Sequence, residues 1–111
     1  MGLKRGDVVT VALQGDLGKP RPAVIVESDN IAPTEFVLVC PGTSHLIADI
    51  EPRRVTVQPN QANGLRVQTQ FQADKLAVVH RTKCRQILGR LDEDSIAEIS
   101  LRMMLVLGLV D

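Results

Sequence analysis

The stretch DVVTVALQGDLGKPRPAVIV, residues 7–26, reads as a strand, a loop and a second strand. Asp7 to Leu13 is rich in Val, alternates weakly and starts just after Gly6, the pattern of a strand leaving a turn. Gln14 to Pro22 holds two Gly and two Pro, so it reads as a loop, and it delivers Asp16, Lys19 and Arg21 to one place. Ala23 to Val26 is a short continuous apolar run, most simply a buried strand. A parallel pairing would need a crossover of a dozen residues or so, usually a helix, and there is no room for one.

The same spacing continues downstream. Phe36 to Cys40 is another apolar run, ending at the turn dipeptide Pro41-Gly42. Arg54 to Val57 is a short alternating strand, Gly64 to Phe71 alternates over Leu65, Val67, Thr69 and Phe71, and Leu76 to Val79 is one more apolar piece. Five or six short strands separated by turn signals predict a small, strongly bent antiparallel sheet or partly open barrel. The last segment changes period. Asp92 is a good N-cap, Glu93 and Asp94 sit where the helix dipole favours negative charge, and Ile96, Ile99, Met103 and Val106 recur at helical spacing before Gly108. Met103 to Leu107 is apolar over more than one face, which suits either packing on the sheet or a dimer contact.

A chain of 111 residues is expected to form one domain, residues 1–111, with a single modest core. Phe36 and Phe71 are the only aromatic residues, too few to hold single-stranded nucleic acid mainly by stacking. Formal net charge is zero, but from Arg53 to Arg90 there are eight Lys/Arg against one acid, Asp74. Either the middle of the chain carries a basic surface, or these are scattered solvated charges. Cys40 lies in an apolar run and Cys84 in a basic loop, a number and spacing that suggest neither a disulfide framework nor a metal site. His45 and His80 add no cluster, so no metal and no cofactor are expected. The polar start and the lack of a long apolar run predict a cytoplasmic protein with no membrane span.

Few residues are placed for chemistry. Arg21 sits between Pro20 and Pro22, which stiffen the backbone on both sides, and a guanidinium held on a stiff segment makes a good phosphate fork. Thr43 and Ser44 follow Pro41-Gly42, so two hydroxyls leave the end of a buried strand, with His45 next to them. Each feature alone also suits a surface arginine or a satisfied turn.

The ordered set Arg5-Gly6-Asp7-Val8-Val9, Gly18-Lys19-Pro20-Arg21-Pro22-Ala23-Val24-Ile25-Val26 and Cys40-Pro41-Gly42-Thr43-Ser44, with Arg90-Leu91-Asp92-Glu93-Asp94 opening the helix, resembles the MazF/PemK toxin family over essentially the whole chain. The resemblance implies a mainly β fold with a C-terminal helix, a small SH3-like antiparallel barrel of the CcdB/PemK type, assembled as a homodimer. It implies metal-independent, sequence-specific cleavage of single-stranded RNA and a cognate antitoxin as partner. It puts the catalytic pair at Arg21 and Thr43, with Gln14, Lys19 and Ser44 as substrate contacts. Asp74 matches a position assigned as a general base in one branch of the family, where an arginine stands two residues earlier; here that residue is Gln72. His45 is the other candidate base. Two alternatives compete: a toxin of the same fold that poisons DNA gyrase by binding it, and a non-enzymatic SH3-like binding module.

Overall fold

A computed structural model describes residues 2–12, 19–49 and 52–111. Among these, seven strands precede one α-helix: β1 (Asp7–Val11), β2 (Arg21–Ile25), β3 (Phe36–Thr43), β4 (Arg54–Val57), β5 (Thr69–Gln72), β6 (Ala77–His80), β7 (Cys84–Arg90) and α1 (Glu93–Val106). All pairings are antiparallel, in the order β4-β5-β3-β2-β1-β7, with β6 also paired to β3. The sheet bends into a barrel-like form that is not closed.

The bend is built into β3, which changes partners along its length. Phe36 to Val39 pair with β6, Val39 to Pro41 with β2, and Gly42 and Thr43 with β5. The turn expected at Pro41-Gly42 is therefore absent; both residues are buried inside the strand. Gly42 allows this passage because a Cβ there would lie 2.7 Å from Thr69 Cγ2 and 3.1 Å from the Phe71 ring. Proline and glycine mark a change of sheet here instead of a turn.

Strand alternation sends successive side chains to two separate apolar layers. Val8, Val24, Cys40 and Phe71 face α1, which contributes Ile96, Ile99 and Met103. Val9, Val11, Ala23, Ile25, Val37, Val39 and Val79 fill the other face. Apolar packing on both faces of β1–β3 explains why those strands read as continuous Val/Ile runs. The helix starts as expected, with Asp92 Oδ1 accepting from Ser95 N at 2.7 Å, and Gly108 at φ +74° follows its end. The Arg5 guanidinium ties α1 to the sheet by donating to Val26 O and Ser100 Oγ.

Besides the turn at Pro41-Gly42, three more expectations from the sequence need correction. Cys84 is not in a loop; it opens β7, an edge strand whose exposed Arg85, Gln86 and Ile87 hide the apolar alternation. Gly64 to Gln68 of the expected fifth strand is not strand, and pairing begins only at Thr69. Arg21 belongs to β2 and not to the preceding loop. The segment before Thr69 has its own order. Asn63, 2% exposed, accepts from Asn60 N and Leu65 N and donates to Gln58 O, which satisfies buried backbone without a ladder. This loop spans the gap between the terminal strands β4 and β7, with Arg90 N donating to Ala62 O at 2.9 Å.

Candidate active site

Arg21 begins β2 and Thr43 ends β3. The β2–β3 register pairs Ala23 with Pro41. Arg21 lies two residues before Ala23 on β2 and Thr43 two residues after Pro41 on β3, so both stand at the same end of the β2–β3 pair, with Thr43 itself paired to Gln70 of β5. On its other side Arg21 is paired with Val11 of β1. Both residues are half-buried.

Thr43 closes the turn that follows it, its Oγ1 accepting from His45 N at 3.0 Å. The hydroxyl hydrogen is then left to point elsewhere, so Thr43 can hold the turn and donate to an anion at once. A buried polar group fixes the turn from beneath. Arg54 Nη1 donates to His45 O at 3.0 Å and to Gln70 Oε1 at 2.9 Å, and Nη2 donates to Gln72 Oε1 at 3.3 Å. Gln70 in turn accepts from Ile47 N and donates to Ile47 O. Ser44 and His45 are exposed beyond Thr43, and Lys19 is exposed ahead of Arg21. Gln14 lies outside the described residues.

Asp74 belongs to a short 3-10 turn, Ala73–Lys75, directly after β5. The arginine that is missing at Gln72 has a counterpart: Arg53, beside β4, puts its Nε 3.8 Å from Asp74 Oδ2. Gln72 itself is turned inward to Arg54. The Asp74 charge also reaches Cys40. Burial first, then the nearby Asp74 carboxylate, push the Cys40 thiol up to about 12, against a lowering hydrogen bond from the Gln72 backbone. A thiol so firmly protonated is not a nucleophile at neutral pH.

Lys75 and Lys83 aside, the positive charges from Arg53 to Arg90 divide into two groups. Arg53 pairs with Asp74, Arg81 with Glu27 at 3.1 Å, and Arg90 with Asp7, while Arg54 is buried among amides. Arg66 and Arg85 have no such partner among the described residues, and both line a cleft of about 530 Å³ together with Arg21, Pro22, Leu65 and Val67. A second cleft, of about 490 Å³, includes Glu27 and Asp29, and its arginine, Arg81, is already paired. The cleft at Arg21 thus gathers three arginines, with no acidic residue in its lining among the described residues. The sequence reading did not bring Arg66 and Arg85 together with Arg21. The first sits in a loop that reads as strand, the second in a strand that reads as loop, so nothing in their spacing points to Arg21.

A family model for the PemK-like, MazF-like toxin of type II toxin–antitoxin systems matches residues 4–107. A probable endoribonuclease MazF of Mycolicibacterium smegmatis is 32% identical over 108 residues, covering 96% of this chain and 98% of that protein. Among solved structures, a mycobacterial endoribonuclease in complex with its cognate antitoxin superposes with a TM-score of 0.82 at 20% identity, over 99% of both chains. The MazE–MazF complex of Deinococcus radiodurans gives 0.71 at 23% identity, over 95% of this chain and 94% of that one. With fold, sequence and nearly the full length in agreement, the chain belongs to the PemK-like, MazF-like toxins of type II toxin–antitoxin systems.

Proposed function

We propose that this chain is a sequence-specific endoribonuclease toxin that cleaves single-stranded RNA without a metal ion, as one domain spanning residues 1–111. What supports the reading is that β2 begins at Arg21 and β3 ends at Thr43 at the same end of the antiparallel β2–β3 pair. RNA brings its own nucleophile, the 2′-hydroxyl, so the protein need supply no attacking group. Its task is to hold that oxygen in line with the leaving group and to stabilise charge on the phosphorane. Arg21 is suited to grip two non-bridging oxygens, and Thr43 to donate to one of them.

In the reaction the 2′ oxygen forms a bond to phosphorus and the bond to the 5′ oxygen breaks. The products are a 2′,3′-cyclic phosphate and a 5′-hydroxyl. A base takes the 2′ proton and an acid supplies one to the 5′ oxygen. His45, two residues from Thr43, and Asp74, held by Arg53, are the two candidates for these proton transfers. Lys19, Ser44 and Gln14 are assigned to substrate contact.

The proposed place of action is the cytoplasm, where its RNA substrate is found. No helix among the described residues is long and apolar enough to cross a membrane. The protein works as a homodimer and is neutralised by a cognate antitoxin, the kind of partner named for the mycobacterial structure. The family match favours this reading over the gyrase-binding alternative. Incubation of the purified protein with a mixed RNA pool in a chelator, followed by mapping of the cuts, tests it. Cuts at one short sequence with 5′-hydroxyl ends are expected. Intact RNA would sink the reading.

A further inference from the structure

We propose that Arg66 and Arg85 form a second phosphate-binding station, which holds the RNA backbone on the side of Arg21 away from Thr43. The inference rests on the ribonuclease reading and deepens it. Both residues line the same cleft as Arg21, although they come from a loop and from the far edge of the sheet.

The backbone around them is shaped to bring them there. Along the β1–β7 pair, Thr10 is opposite Gln86 and Val11 is opposite Cys84, so Arg85 is an extra residue, a β-bulge. Val8 is opposite Gly89 and Val9 is opposite Ile87, so Leu88 is a second bulge. Bulges re-aim side chains, and here both bulged residues line the cleft. The opposite wall is fixed just as firmly. Gly64, at φ +69°, packs so close to β7 that a Cβ would lie 2.2 Å from Leu88 O, and Gly89 would collide with Ala62 O at the same distance. Asn63 ties down the loop immediately before Arg66. Two guanidiniums of like charge thus rise from closely packed backbone into one cleft, without an acid among the described residues to neutralise them.

Much of the remaining lining of the cleft is apolar. Pro22, Leu65 and Val67 line it, with Val67 54% exposed. Spaced cations along an apolar surface suit a nucleotide strand, its phosphates on the arginines and its bases against the aliphatic side chains. With few aromatics available, such contacts would take the place of ring stacking.

The test uses the full-length protein and an RNA containing the mapped cut site with a 2′-O-methyl group there, so that it binds without being cut. Affinity is measured from low to high salt for the parent, Arg66→Ala, Arg85→Ala, and Lys4→Ala as a control on the other cleft. Each cleft variant is expected to bind several-fold more weakly and to flatten the slope of log K against log salt by about 0.7, the share of one phosphate contact. Arg85→Lys should restore most of the slope. If the parent cuts RNA but both alanine variants keep its affinity and slope, this assignment is wrong and the ribonuclease reading stands. If they lose affinity only for an acidic peptide, the cleft is a protein site and the assignment is also wrong. A parent that neither cuts nor binds RNA overturns both.

Discussion

Arg54 and Gln70 form a buried hydrogen-bonded pair, Nη1 to Oε1 at 2.9 Å, directly beneath the turn that follows Thr43. Arg54 reaches the carbonyl of His45, and Gln70 holds both backbone groups of Ile47. The cation is stabilised by amides and a carbonyl, without a carboxylate among the described residues. Removing either partner would leave a buried polar group unsatisfied.

Gln70→Ala is therefore expected to destabilise the protein by about 2 kcal/mol, since it removes one of the three acceptors of buried Arg54 and frees both backbone groups of Ile47. It should also lower cleavage, because Thr43 would lose its fixed turn. Denaturant unfolding read beside the cleavage rate checks this. Unchanged stability would show that the pair does not hold the turn.

Gly64→Ala is expected to cost about 3 kcal/mol, from the left-handed backbone and from overpacking together. The backbone oxygen of Leu88 is the obstacle, so no side-chain rotation relieves it. Gly108→Ala has the same kind of positive φ but open space around it, and should cost less. Thermal unfolding of the two variants, compared with the parent, decides whether close packing or backbone angle dominates.

These positions show where the sequence was readable and where it was not. The β1–β3 sheet and α1 were legible because burial on both faces, or on one stripe, leaves a strong apolar pattern. Pro41-Gly42 misled because turn residues were used to pass β3 from one partner to another. β7 was hidden because two bulges break its alternation and its exposed side is polar. The site followed the same division. Arg21 and Thr43 stood out through family motifs at strand ends, whereas the Arg53–Asp74 pair depends on tertiary contact between β4 and the turn after β5. The clustering of Arg66 and Arg85 depends on the bulges and on the loop that spans β4 to β7.

Cys40 gives a pH prediction. Its thiol is raised to about 12 in the folded state, above the ordinary value of 9.0, which is the reference for the unfolded chain. Above pH 9 the unfolded chain gives up a proton that the folded chain keeps. Stability from this group is complete below pH 9 and falls as pH rises toward 12, by up to about 1.4 kcal/mol per pH unit. Cys40→Ala should flatten that decline, read as unfolding free energy against pH. An unchanged decline would mean that another group causes it.

The central claim is that Arg21 and Thr43 stabilise the same phosphorane. It is tested most directly by the single-turnover cleavage rate of one mapped RNA, in chelator, for the parent, Arg21→Ala and Thr43→Val, with folding verified by thermal unfolding. The account predicts a loss of about 10²–10³-fold for each variant. The double variant should be little worse than the weaker single one, as for groups acting on one centre. Parent-like cleavage by Arg21→Ala or by Thr43→Val would contradict it.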